Sequence, residues 1–180
     1  MYLPVFQKYM VTKPEFINFW SKQYSYPKDY LYNDNIGKEL IEDRIWALFL
    51  WKNGKPLSEK KRLSVKNNFV MEKIKMPSSH DNSTLLPYLN RPGGAIWRIF
   101  WLHCNYHNIF PIYDQHVHRA MAQLKGWEEL EIPFQNKDKV RTYIQSYLPF
   151  WREFLGFPFK KVDEALWSYG KFLKLKYDFK

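Results

Sequence analysis

Cysteine is nearly absent from this chain, with Cys104 the single one in 180 residues. One thiol cannot build an internal disulfide framework, nor the four-cysteine set of an iron–sulfur cluster or a structural zinc. Such usage fits a reducing compartment, and the cytoplasm is the expected location. Glycine is scarce as well, 7 in all, and Gly93-Gly94 is the only adjacent pair. Neither a Walker phosphate loop nor a dinucleotide loop is therefore present, and the Gly-x-Ser-x-Gly elbow of serine hydrolases is missing too. Few glycines, with apolar segments cut by lysines rather than alternating, also argue against an all-β sandwich. No uncharged apolar run reaches the length of a membrane span, and "IWALFLW", Ile45 to Trp51, reads as a core segment. The opening "MYLPVFQKYMVTKPEF" lacks a basic region followed by a continuous apolar one, so it does not read as a secretion signal.

What the chain has in excess is aromatic residues and positive charge. Aromatics make up 19% and hydrophobic residues 46%, far above what a disordered segment carries. At this length a single domain can bury most of its apolar surface. Lys and Arg outnumber Asp and Glu by 28 to 18, a net charge of +10. That balance concentrates polyanions near the surface, with nucleic acid first among them; the plainer reading is a solvated lysine face.

Apolar residues recur at helical spacing along the whole length. Phe16, Ile17, Phe19 and Trp20 follow Pro14, and the segment Asn35 to Lys52 carries Ile36, Leu40, Ile41, Ile45, Leu48 and Phe49, stopped by "NGKP". Ser58 is placed to cap a third helix with Leu63, Val70 and Ile74 on its apolar face. "NSTLLPYLN" makes one or two turns before "RPGG". The run "AIWRIFWLHC" from Ala95 is apolar nearly all round, as a helix buried on every side would be, and its Arg98 then needs a carboxylate or carbonyl partner. Asp114 opens the next helix, which ends before Gly126. Val140, Tyr143, Ile144 and Tyr147 mark a further helix, and Val162, Ala165, Leu166, Tyr169, Phe172 and Leu173 the last. The fold class is all-α, a compact, two-lobed helical bundle forming one domain over residues 1–180.

Four of the five histidines lie between residues 103 and 118. His103 and His107 share a face only if their helix continues that far, and Asn105, Asn108 and Pro111 suggest that it frays. His116 and His118, two apart, diverge on a helix. A metal-dependent nuclease built on this cluster is the third-ranked reading, and satisfied or exposed histidines are the favoured one. No metal is assigned.

Taken as a unit, "LLPYLNRPGGAIWRIFWLHCNYHNIFPIYDQHVHRA" resembles the helix-hairpin-helix base-excision DNA glycosylases, the endonuclease III-like superfamily. That family carries a Leu-Pro-Gly-x-Gly hairpin and, about twenty residues on, a segment of the type Val-Asp-x-His-Ile/Val-x-Arg. Asp114, His116, Val117 and Arg119 match the second motif position for position, and Gly94 lies twenty residues before Asp114. The resemblance covers about a fifth of the chain, Leu85 to Ala120, with a hairpin core over residues 83–124. Pro92 stands where the hairpin's first glycine belongs, with Gly93 displaced by one. Ile96 stands where lyase-active members have their Schiff-base lysine.

The resemblance implies a monofunctional glycosylase acting as a monomer on double-stranded DNA, with Asp114 activating water and stabilising the oxocarbenium-like transition state. It implies no cofactor beyond a monovalent cation at the hairpin. Arg91, Gly93 and Gly94 would hold a phosphate, while Lys52, Asn53 and Lys55, in the turn after an early helix, would extend the grip, Asn53 filling the gap left by an extruded base. His116 and Arg119 would support the site from the first turn of their helix. The runner-up is a helix-hairpin-helix protein that binds DNA without chemistry, in which Asp114 is only a helix cap.

Overall fold

The computed structural model describes residues 11–71 and 81–177, and every regular element among the described residues is a helix. Helix α1 (Lys13–Ser21) starts on a reciprocal cap: the Thr12 hydroxyl takes the Glu15 N–H, and the Glu15 carboxylate takes the Thr12 N–H at 2.8 Å. A single turn, α2 (Tyr30–Asn33), precedes α3 (Glu42–Asn53). The periodicity predicts that α3 begins at Asn35. Instead the backbone turns left-handed at Gly37 (φ 72°) and re-enters the helix only after an extended Ile41. Ile36 and Leu40 still pack on the core from that connecting turn, which explains their helix-like spacing.

Helix α4 (Glu59–Val65) follows Ser58, whose backbone is extended as a cap requires although its side chain makes no capping bond. It continues into a π-helical turn over Lys66–Met71; Ile74 lies outside the described residues. Asp81 caps α5 (Asn82–Leu89) through the Thr84 N–H. Helix α6 (Ala95–Asn105) is the central rod, buried without a break from Arg98 to Cys104. Then come α7 (Gln115–Leu124), α8 (Asn136–Thr142) with a π-helical continuation over Tyr143–Tyr147, α9 (Leu148–Arg152) and α10 (Phe159–Tyr177).

One connected cluster of buried side chains runs from Phe16 to Leu166, much of it aromatic. Phe49 alone meets the rings of Phe69, Trp97 and Phe100 within 5.5 Å, pairs worth about 0.5–1.5 kcal/mol each beyond the area they bury. Arg98, 1% exposed, finds the carbonyl partner its burial demands: Nε donates to the Pro92 oxygen at 2.5 Å, and the guanidinium lies over Phe69.

The seam that sets the site is between α7 and α10, with α1 on the other side of α10. Gly170 makes it possible, because a Cβ there would collide with the His116 carbonyl. Arg119 locks the same seam, donating through Nε and Nη2 to Glu131 and through Nη1 to the Gly170 oxygen at 3.2 Å. Among the described residues no helix is long and apolar enough to cross a membrane.

Candidate functional site

Helix α6 ends at Asn105, and a loop returns the chain to the start of α7, where Asp114 sits in extended conformation at the cap position. Its Oδ1 accepts the N–H groups of His116 (2.8 Å) and Val117 (3.2 Å). Oδ2 faces Nζ of Lys52, from the last turn of α3, at 3.2 Å. The Lys52 side chain is only 7% exposed and that of Asp114 22%. Lys52 also donates to the Tyr113 carbonyl and lies over the Phe100 ring. Burial pushes the Asp114 carboxyl up, but the Lys52 ammonium, His116 and the cap N–H groups outweigh it and hold the group below the usual carboxylate range. Asp114 is therefore ionised at neutral pH.

Two cavities meet at this carboxylate. An open groove of about 420 Å³ is lined by Lys61, Trp97, His116 and Lys139 among others. Behind it lies a narrow chamber, about 50 Å³ open to the centres of water molecules, walled by Tyr24, Tyr32 and Trp51. Tyr26, Lys52, Asp114 and Trp167 line both and so form the throat between them. The tyrosine hydroxyls of the chamber are already engaged: Tyr24 donates to Asp29, Tyr26 to the Trp51 carbonyl, and Tyr32 pairs with His103. Lys160 is bound to Asp29 at 2.9 Å, with Glu164 at 3.8 Å.

A second acid lines the chamber. Asp163, on α10, has a buried Oδ1 with no hydrogen bond of ordinary geometry. Burial pushes its carboxyl up to about 8, against the smaller opposing pulls of the Trp151 indole, Lys52 and Lys160. The chamber thus has an ionised carboxylate at its mouth and a protonated acid on its wall, a separation of roles made by environment alone.

The residues singled out from sequence divide. Asp114, Lys52 and His116 come together at the throat and groove. Lys52 is held against Asp114 rather than presented to solvent as a phosphate contact. Asn53 lines the groove, but its amide is spent bracing the α3–α4 turn, donating to the Lys55 and Pro56 carbonyls and accepting from Lys61 at 2.6 Å. Lys55 is exposed on the far side of that turn, beside Pro27 and Lys28. Arg91 is exposed between α5 and α6, where Gly93 (φ 112°) and Gly94 (φ 85°) form a short turn that only glycine adopts freely. The first N–H after that turn, at Ala95, points to the Asn136 side chain at 3.4 Å. Arg119 supports the site through the α7–α10 seam.

The histidines are spread out. His103 is buried between the Tyr32 hydroxyl and the Phe110 carbonyl, with burial pulling its pKa down to about 3, and His118 meets the Tyr113 hydroxyl. No three of His, Cys, Asp and Glu gather around a common point among the described residues.

Sequence reasoning missed Asp163, Lys160, Trp167 and the tyrosines before α3. The available signal was an acid inside the apolar stripe of α10, between Val162 and Leu166, where a solvated carboxylate has no place. Comparison of the chain with protein-family models, with curated proteins and with solved structures gave no significant match.

Proposed function

We propose that the protein is a monofunctional DNA glycosylase, with Asp114 as its catalytic residue. The observation that carries this reading is the continuous path from a lysine-bearing groove, past a buried ionised carboxylate, into an aromatic-walled chamber. The groove suits a phosphodiester backbone, and the chamber suits a base taken out of the stack. Phe134, 96% exposed, is anchored beside the groove by its carbonyl, which accepts from Lys139 at 2.7 Å. An apolar side chain so displayed can enter the stack as the base leaves, the task that Asn53 is too constrained to perform.

In the reaction, the bond between C1′ and the base nitrogen breaks, its electron pair leaving with the base, which takes up a proton. Water adds its hydroxyl to C1′ and gives up a proton. Asp114 is placed to stabilise the positive charge that grows on the sugar and to orient that water. Lys52 holds Asp114 ionised and offsets part of its field. Ile96, in place of the family's lysine, lines the groove as a hydrocarbon. Double-stranded DNA is the partner, and the Gly93-Gly94 turn is the proposed phosphate and monovalent-cation contact of a helix-hairpin-helix element.

Duplexes carrying single modified bases test the proposal. The expected outcome is base release by the wild-type protein and none by Asp114→Asn, with duplex affinity changed by less than about twofold. Borohydride should trap no covalent DNA adduct; an adduct would overturn the monofunctional assignment and point to Lys52, the amine paired with Asp114. A second reading has its own observation. The cap bonds and the Lys52 ion pair account fully for Asp114 as structure, which suits a DNA-binding protein without chemistry. Salt-sensitive binding, with no abasic site formed on any duplex, would establish that reading instead.

A further inference from the structure

The chamber behind Asp114 has a size, a charge and one unspent polar group, which together narrow its occupant. Its 50 Å³ admits about four waters, each needing about 10–15 Å³ by this measure and representing about 30 Å³ of liquid. That is about the space of one six-membered ring with its substituents, and a fused two-ring base exceeds it. The walls offer ring faces from Tyr24, Tyr32, Trp51 and Trp167 for stacking. Both lysines at the chamber are matched by carboxylates, Lys52 by Asp114 and Lys160 by Asp29, so an uncharged ligand fits best. The hydroxyls are engaged. What remains is Asp163 Oδ1, buried and without a hydrogen bond.

Resting on the reading of the chamber as the place a base enters, we infer that its occupant is a pyrimidine base and that Asp163 recognises the base edge. A protonated carboxyl offers an O–H donor beside a carbonyl acceptor. It therefore closes a cyclic pair of hydrogen bonds with any ring edge that sets an acceptor next to an N–H, as a uracil-type N–H and carbonyl do. An ionised Asp163 can only accept, and the pair is lost. The groups that act on this acid come from every side: Lys52 on α3, Asp114 before α7, Trp151 on α9 and Lys160 on α10 itself, while Tyr32, Tyr143 and Tyr147 feel its charge. The ring binds below pH 8 and is released above it.

Free bases test this apart from any catalysis. Uracil and adenine are titrated into the full-length protein, following quenching of the tryptophans, of which Trp51 and Trp167 flank the chamber. Uracil should bind at least tenfold more tightly than adenine at pH 6, and about tenfold more weakly at pH 9 than at pH 6, since one acid in about ten is still protonated there. Asp163→Asn keeps a donor beside an acceptor without titrating, so its uracil affinity should be the same at both pH values. Equal binding of adenine, or wild-type affinity unchanged between pH 6 and 9, would overturn the inference, and the wild-type titration needs no variant to fold. Uracil binding of the expected kind without base release from any duplex would sink the glycosylase reading and leave the pyrimidine chamber standing.

Discussion

Asp114 and Lys52 hold each other in a setting where neither is comfortable alone. Lys52→Met removes the cation and leaves a largely buried carboxylate with two N–H donors only. The expected loss is about 2 kcal/mol at pH 7, below the 3–5 kcal/mol of a fully buried broken pair because Asp114 keeps its cap bonds and some solvent. The pH dependence follows from the direction of the shift. Asp114 has a folded pKa below its ordinary value, so the stability it contributes is present above that ordinary value and disappears as pH falls through the folded pKa. Thermal melts of wild type and Lys52→Met should therefore differ at pH 7 and converge near pH 2–3. Asp163 has the opposite disposition, its acid form being the one the fold accommodates.

This pair also shows what a sequence can disclose at the scale of a residue. Asp114 was legible because a helix cap is a local device, written in an acid followed by helical periodicity and a spacing back to Gly94. Lys52 was read as a phosphate contact because its neighbours Asn53 and Lys55 are polar; only packing brings its ammonium across to α7. Asp163 was hidden for the converse reason. A stripe of apolar residues at helical spacing identifies α10, and the same averaging conceals the one acid inside it.

At the scale of elements, α7 and α10 approach backbone to backbone. Gly170→Ala should be among the most damaging single substitutions available, costing at least about 3 kcal/mol, since the added methyl meets a helix carbonyl rather than a movable side chain. A fall of more than about 10 °C in Tm would accord with this; a melt like that of wild type would show that the helices can separate at little cost. Buried helices were legible from end to end, α6 above all. The start of α3 was not, because Ile36 and Leu40 reach the core from a turn and imitate a helical face. Nor were the π-helical turns of α4 and α8, whose extra residue leaves no mark in a pattern of buried positions.

For the whole molecule the governing quantity is the charge of +10. If Lys61, Lys139, Arg91 and Lys55 each meet a phosphate, the logarithm of duplex affinity should fall with the logarithm of salt at a slope of about −3.6. Replacing Lys61 and Lys139 together by Ala should reduce that slope by about two, evenly across duplex sequences. A slope near zero would leave the basic surface without a role in binding DNA. That the chain would be all-helical and rich in buried aromatics was plain from composition and periodicity. That it would enclose a chamber was not, because the walls come from segments more than a hundred residues apart, Tyr24 and Lys160 among them.

The π-helical stretch at Tyr143–Tyr147 bears on how this chamber tolerates change in length. It runs directly into α9, which carries Trp151 toward Asp163. A π-turn holds one residue more than the α-helix it interrupts, so deleting one residue there restores α-helical register and turns everything after it by about 100°. Trp151 would then swing off the acid while the helix itself stayed intact. The spacing between Pro111 and α10 is thus open to substitution but closed to a shift of frame, and a single-codon deletion in this helix is a lesion of the chamber rather than of the bundle.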